Sequence, residues 1–387
     1  MGYTKSGHFC SILCTITTTL LVLHCEARSQ HGHHHHRDRF VRARGTEFVL
    51  HGKPFLFNGF NSYWMMSVAA EPAERGKVSE VFREAAANGL SVCRTWAFSD
   101  GGGDRALQAS PGVYNERVFQ GLDFVISEAR RYGVRLILSL VNSFKDFGGK
   151  AQYVEWAKNA GVGVNSEDDF YTNPVVKGYY KNHIKGWAQE MASYTKSLDR
   201  KHMLEVGMEG FYGESMPEKK QYNPGFQVGT DYITSNLVRE IDFATIHAYP
   251  DIWLSGQNDA AQTAFVQRWM WSHWNDARRI LRKPLVFAEF GKSKRDAGAG
   301  RRGSMAGGLV WQAMAEGMES YYDGYEIVLS QEPSTTGVVA RQSRAMAALS
   351  GVLSSRAAEA ATAYAAGGRQ RVGMRRHPHR RHRRNHL

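Results

Sequence analysis

Short, continuous apolar runs alternate with amphipathic helical segments from Thr46 onward, and this alternation restricts the possible folds. Runs such as VRLILSLV (134–141) and PLVFAEFG (284–291) have no polar face, which indicates strands buried on both sides. The segments 78–90 and 115–133 place apolar residues at helical spacing and end at a glycine or beside one. Strands that alternate with helices predict an α/β fold, a parallel sheet covered by helices.

Seven strands follow from this pattern. They are predicted within residues 48–64, 91–98, 134–141, 202–210, 242–250, 284–291 and 306–313. Arg, Trp, Glu, His and Tyr collect at the C-terminal ends of these strands, where barrel enzymes place their chemistry. No G-x-G-x-x-G sequence opens the first helix, so an open sheet with a dinucleotide site has no support. The pattern therefore predicts a (β/α)8 TIM barrel, followed by a terminal helix near 336–353.

Two segments are inconsistent with a complete barrel, which needs eight strands. Between Tyr171 and Lys201 the apolar residues repeat every three or four positions from residue 176 to 198, so one long helix stands where a strand is needed. Between Gly291 and Ala306 the sequence KSKRDAGAGRRGSM has no apolar face, although a parallel crossover normally contains a helix. We therefore predict an incomplete barrel that lacks one strand and one crossover helix.

The two ends of the sequence are predicted to form segments separate from the barrel domain. Residues 1–27 resemble a signal peptide, because Lys5 precedes an apolar stretch too short to span a bilayer and small residues stand at a plausible cleavage site. A membrane anchor is the alternative. Residues 28–45 are predicted to be a basic, His-rich flexible segment, residues 46–353 the barrel domain, and residues 354–387 a disordered Arg/His-rich tail.

The net charge of +12 belongs to these terminal segments. Residues 1–45 and 354–387 contribute all of it, so the barrel is neutral and we expect no nucleic-acid partner. The tail could hold a polyanion by charge alone or be merely solvated. HGHHHH (31–36) could bind a metal, but without a fixed geometry it is more typical of a flexible tract, and we expect no metal site. Cys93 alone lies outside the signal-like segment, so no internal disulfide is expected.

The strand ends suggest a site for sugar chemistry. Glu289 at the end of PLVFAEFG is a candidate nucleophile, which would require a second carboxyl group as proton donor. Arg94 could hold a carboxylate ionised, and Tyr249, two residues from His247 on one strand face, could orient it. Flat aromatic rings at other strand ends could stack against sugars; these are Trp64, Trp96 and Trp311. Each aromatic could instead belong to the core.

The strings NGFNSYW, CRTWAF, MEGFYG, IHAYPDIW, PLVFAEFGKS and GLVWQ, in this order, resemble the plant endo-β-1,4-mannanases of glycoside hydrolase family 5. The resemblance covers most of residues 46–345. It implies an eight-stranded barrel that hydrolyses internal mannosidic bonds with retention and needs no cofactor. It also implies that Glu289 is the nucleophile, that Arg94, His247 and Tyr249 surround it, and that Trp96 and Trp311 stack on substrate.

The chain departs from the family where the acid/base glutamate is expected. No Asn-Glu-Pro sequence occurs, and NHIK runs directly into GWAQEMASY. Glu209, at the end of HMLEVGMEG, is an open candidate for its replacement. We therefore expect a mannanase of weak or absent activity, or alternatively a mannan-binding remnant or the product of a defective or mis-spliced gene. The expected partner is mannan, and the expected form is an extracellular monomer in the cell wall, free of membrane after signal removal.

Overall fold

The computed structural model describes residues 19–22, 40–142, 144–184, 196, 199–224, 231–292 and 307–372. The strands are β1 (Thr19–Val22), β2 (Arg42–Arg44), β3 (Glu47–Leu50), β4 (Lys53–Pro54), β5 (Phe57–Asn61), β6 (Val92–Trp96), β7 (Gln108–Ser110), β8 (Val113–Tyr114), β9 (Arg135–Ser139), β10 (Leu204–Glu205), β11 (Ala244–Ala248), β12 (Leu285–Phe290) and β13 (Gly307–Val310). The α-helices are α1 (Met65–Ala69), α2 (Arg75–Ala87), α3 (Glu116–Arg131), α4 (Gly149–Asn159), α5 (Asp169–Thr172), α6 (Pro174–Ile184), α7 (Tyr232–Leu237), α8 (Pro250–Trp253), α9 (Asp259–Asp276) and α10 (Pro333–Val372).

Six parallel strands form the main wall in the order β11, β12, β13, β5, β6 and β9. This wall confirms the predicted α/β class and the incomplete barrel. A small antiparallel sheet of β2, β3 and β4 precedes it in the chain. All parallel strands end on the same side, so the residues at their C-terminal ends converge.

The chain around β10 closes the other side of the barrel. The backbone N–H of Asp242 donates to the carbonyl of Leu204 over 2.8 Å, and that of His247 donates to the carbonyl of Glu209 over 2.9 Å. The hydroxyl of Thr245 adds a bond of 3.0 Å to the carbonyl of Met208. Residues 204–209 therefore run beside β11, although regular strand geometry is confined to Leu204–Glu205.

The gap between β9 and β10 is where the predicted missing strand would lie. Among the described residues between Tyr171 and Lys201 there is helix but no strand, as predicted. The short strand β1 occupies the gap and runs antiparallel to both neighbours, with Leu20 opposite Leu138 and Leu204. This strand comes from the segment predicted to be a signal peptide, so cleavage after residue 27 would remove it from the barrel.

The core lies between the strands and the helices that cover them. One cluster packs α1, α2 and α3 against β6 and β9, and it includes the fully buried Phe60 and Phe82. A second cluster packs α9 against β11 and β12, with Trp269 at its centre. In β11 the residues Ala244, Ile246 and Ala248 face this second cluster, which leaves the alternate residues for the barrel interior.

The C-terminal helix differs from the prediction. The helix α10 continues to Val372, whereas a disordered tail was predicted from residue 354, so the prediction is wrong for residues 354–372. The alanine-rich sequence RAAEAATAYAA explains the difference, because alanine has the highest helix propensity. The rest of the tail, the His-rich tract and the predicted gap at 293–306 lie outside the described residues. Over the described residues, no helix has the length and apolar character needed to cross a membrane.

Candidate active site

Glu289 lies near the C-terminal end of β12, and its side chain is 13% exposed. The preceding residues Val286 and Ala288 are buried in the barrel, which fixes the strand and delivers the carboxylate to the rim. Across the parallel ladder Glu289 is paired with His247 of β11. The site is therefore built on strands rather than on loops, and its geometry is held by the sheet.

Arg94 of β6 is the cation of the site. Its guanidinium, 3% exposed, forms an ion pair with Oε1 of Glu289 through Nη1. The same nitrogen donates to Oδ1 of Asn61 over 3.2 Å, and Nδ2 of Asn61 donates to the carbonyl of Ala288 over 2.9 Å. Asn61 thus links the arginine to the strand that carries the glutamate.

The other carboxylate oxygen of Glu289 faces β11. The hydroxyl of Tyr249 donates to Oε2 over 2.8 Å, and Nδ1 of His247 lies 3.6 Å from the same oxygen. The second ring nitrogen of His247, Nε2, is buried and has no hydrogen-bond partner in the described part of the chain. Arg94, His247 and Tyr249 therefore surround Glu289 as predicted from the sequence.

These neighbours set the ionisation of the site. Burial alone would raise the pKa of Glu289, but the nearby charges and the hydrogen bonds from Tyr249 and Arg94 lower it below its ordinary value. Burial lowers the pKa of His247 to about 4, helped by Arg94. The imidazole is therefore neutral at neutral pH, so Arg94 is the charge that keeps Glu289 ionised. Burial and the charge of Glu289 raise the pKa of Tyr249, which remains a donor.

Aromatic rings form a wall beside the carboxylate. The rings of Tyr63 and Trp311 stack with centroids 5.9 Å apart and planes 10° apart, and Trp96 packs about 6 Å from each of them. Nε1 of Trp311 donates to Oδ2 of Asp323 over 2.8 Å, which fixes the ring. Trp311 is partly exposed, whereas Trp96 is only 9% exposed and stacks under Arg94. Trp311 and Tyr63 therefore offer the larger surface for a sugar.

Trp64 does not belong to this wall. It is 1% exposed, packs in the core beneath α1, and donates through Nε1 to the carbonyl of Ala313 over 3.2 Å. The prediction that it contacts substrate is therefore corrected. The error has a local cause: β5 ends at Asn61, and Trp64 lies beyond it at the start of α1, where its ring packs into the core. The sequence analysis missed Asn61 and Tyr63, although the end of the strand would have pointed to Asn61.

The arrangement suits nucleophilic chemistry at a sugar. An ionised carboxylate held by one guanidinium and one hydroxyl, beside flat aromatic rings, can attack an anomeric carbon. Among the described residues no group of His, Cys, Asp and Glu side chains could hold a metal ion. The position between β9 and β10 is occupied by β1, whose sequence TLLV contains no carboxyl side chain.

Comparison with known proteins gives consistent results. The sequence pattern of glycoside hydrolase family 5 β-mannosidase-like proteins matches residues 38–177. The tomato (Solanum lycopersicum) mannan endo-1,4-beta-mannosidase 5 is 56% identical, over 85% of this chain and 94% of the relative. The rice (Oryza sativa subsp. japonica) mannan endo-1,4-beta-mannosidase 1 is 50% identical, over 80% of this chain and 87% of the relative.

The alignment with the tomato protein contains gaps in this chain. It extends over 391 positions, although 85% of the 387 residues of this chain is only about 329 residues, so roughly 60 positions face gaps. Among solved structures, the endo-1,4-beta-mannanase of Rhizomucor miehei has a TM-score of 0.64 at 26% identity, over 80% of this chain and 99% of that chain. The hyperthermostable endo-1,4-beta-D-mannanase of Thermotoga petrophila RKU-1 has a TM-score of 0.63 at 25% identity, over 75% of this chain and 99% of that chain.

Proposed function

Because the chain belongs to the mannan endo-1,4-β-mannosidases of glycoside hydrolase family 5, we propose that it binds β-1,4-mannan at its strand ends and uses Glu289 as a nucleophile. The observation that carries the proposal is the pairing of Glu289 with Arg94 and Tyr249, which keeps the carboxylate ionised and oriented. The rings of Trp311 and Tyr63 would stack against sugar rings of the bound mannan.

The nucleophile accounts for one half of a retaining reaction. Glu289 would attack the anomeric carbon, break its bond to the departing oxygen and form a glycosyl ester that water then hydrolyses. In natural mannan the leaving group is a sugar alkoxide, which needs a proton as it departs. General acid catalysis contributes about 10²–10⁴-fold to such a step. Without the strand that carries the family's acid, hydrolysis of mannan depends on another proton donor, and we expect it to be slower than hydrolysis of a substrate whose leaving group needs no proton.

A substrate whose leaving group needs no proton tests nucleophilic attack by Glu289 separately from proton donation. We would compare 2,4-dinitrophenyl β-mannobioside with galactomannan, following dinitrophenolate release and loss of viscosity for the wild-type chain and for Glu289→Gln. We expect the aryl substrate to be turned over readily and galactomannan slowly, and both activities to disappear in the variant. Glu214, whose side chain is 85% exposed beside Lys220, supplies a matched control: Glu214→Gln should behave as wild type.

Two outcomes would count against the proposal. Aryl hydrolysis that survives in Glu289→Gln would remove Glu289 from the reaction. A folded wild-type protein that binds insoluble mannan but hydrolyses neither substrate would be a mannan-binding remnant, the alternative expected from the sequence. Circular dichroism of each preparation distinguishes these results from simple unfolding.

We also propose that the protein is exported and acts as a monomer in the cell wall. The apolar stretch within residues 1–27, preceded by Lys5, supports this proposal. Export with cleavage would leave the gap between β9 and β10 without β1. Mass spectrometry of the N-terminus of protein recovered from the medium would test the proposal, and a product that still contains Thr19–Val22 would contradict cleavage.

A further inference from the structure

A second carboxyl group, that of Glu209, lies two strands away from the nucleophile. Its backbone carbonyl accepts a hydrogen bond from the N–H of His247, and His247 is paired with Glu289 on the next strand. Two strand spacings separate the backbones of Glu209 and Glu289 by about 10 Å. Two glutamate side chains that point into the barrel bring their carboxyl groups closer together than their backbones. The distance between the carboxyl groups then approaches the roughly 5–5.5 Å that a retaining pair requires.

The packing of its neighbours directs Glu209 to the barrel interior. Leu204, Val206 and Met208 share one hydrophobic cluster, whereas the carboxyl group of Glu209 interacts electrostatically with Glu289 and Tyr249, so it lies on the side of the site. Gly210 follows with a φ of 108°, and a Cβ atom there would lie 2.7 Å from Cγ2 of Ile246. The chain therefore bends immediately after Glu209, and a glycine is required for that bend.

The next observation concerns the polar contacts of the Glu209 carboxyl group. In the described part of the chain it takes part in no hydrogen bond and no ion pair, and its side chain is partly exposed. Burial, and then repulsion from Glu289, raise its pKa to about 8. Glu209 is thus protonated at neutral pH while Glu289 is ionised, and two carboxyl groups separated in pKa are the pattern of an acid and a nucleophile.

We propose that Glu209 is the acid/base group of this chain and replaces the glutamate of the missing strand. This proposal rests on the proposed function of Glu289. As Glu289 bonds to the anomeric carbon and the glycosidic C–O bond breaks, Glu209 gives its proton to the departing oxygen, which leaves as a sugar hydroxyl. The Glu209 carboxylate then takes a proton from water, whose oxygen displaces Glu289 from the same carbon.

The test compares Glu209→Gln with the wild-type chain on mannopentaose and on 2,4-dinitrophenyl β-mannobioside. We expect the variant to lose about 10²–10⁴-fold on mannopentaose. The first turnover of the aryl substrate should change little, because its leaving group needs no proton. The wild-type rate on mannopentaose should fall as the pH rises through about 8, and this limb should be absent for the first turnover of the aryl substrate.

Azide supplies a second readout. In Glu209→Ala, azide should accelerate steady-state release of dinitrophenolate and yield β-mannosyl azide, because a small anion can enter the space left by the carboxylate and needs no general base. Equal losses on both substrates, an unchanged rate on mannopentaose, or no azide product would each overturn the proposal. A wild-type chain that cleaves the aryl substrate but never mannopentaose would also overturn it, while leaving the role of Glu289 intact.

Discussion

Replacing Arg94 by methionine tests whether the site depends on one buried charge. Arg94 is 3% exposed and Glu289 is 13% exposed, so the substitution leaves a carboxylate in the barrel without its cation. Removing one partner of a buried ion pair costs about 3–5 kcal/mol. We therefore expect Arg94→Met to lower the free energy of unfolding by about this amount at neutral pH, as measured by urea denaturation.

The loss should depend on pH, and its sign follows from the pKa of Glu289. In the wild-type chain the folded pKa is lowered, so this group stabilises the fold above its unfolded pKa, and the stabilisation is lost as the pH falls through the folded value. Without Arg94, burial would raise the folded pKa, and stability would instead be lost as the pH rises through it. The difference between the two proteins should therefore shrink from neutral pH towards about pH 4.

Two further variants make this prediction decisive. In the double variant Arg94→Met/Glu289→Gln no charge is left unpaired, so it should recover much of the lost stability at neutral pH. Arg83→Met removes an arginine that is 61% exposed beside Glu84, and its unfolding curve should match that of the wild type. If the double variant is as unstable as Arg94→Met, or if the loss does not vary with pH, the buried-charge argument fails.

Three other predictions concern binding, catalysis and stability. Trp311→Ala should weaken retention on insoluble mannan about tenfold, because partial burial of an aromatic ring contributes ~1.5 kcal/mol; unchanged affinity-gel mobility would contradict this. Tyr249→Phe removes a hydrogen bond to the charged Glu289, so kcat/KM for the aryl substrate should fall about 10–150-fold and its acidic limb should move to higher pH. A chain lacking residues 1–27 loses Thr19–Val22, which should lower the free energy of unfolding by ~2–6 kcal/mol through the loss of roughly four backbone hydrogen bonds; an unchanged urea denaturation midpoint would contradict this.

The sequence was sufficient for the barrel and for the cluster around Glu289, because continuous apolar strands end in polar residues and parallel strands bring those ends together. It failed at Trp64, because β5 already ends at Asn61 and Trp64 stands at the start of α1 with its ring in the core. The strand Thr19–Val22 could not be predicted, since an apolar stretch of signal-peptide character carries no information about a distant gap in a sheet. The place of such a segment in the sequence does not reveal which strands it will pair with.

The length of α10 determines where the basic C-terminal residues begin. The backbone N–H of Leu56, just before β5, donates to the hydroxyl of Ser350 on this helix over 3.0 Å. From Ser350 to Val372 the helix extends about 33 Å at ~1.5 Å per residue. The Debye length at physiological ionic strength is about 8 Å, so a charge at the end of the helix is screened at the contact with Leu56. The ionisation of Glu289 should accordingly be insensitive to charge carried at the end of α10.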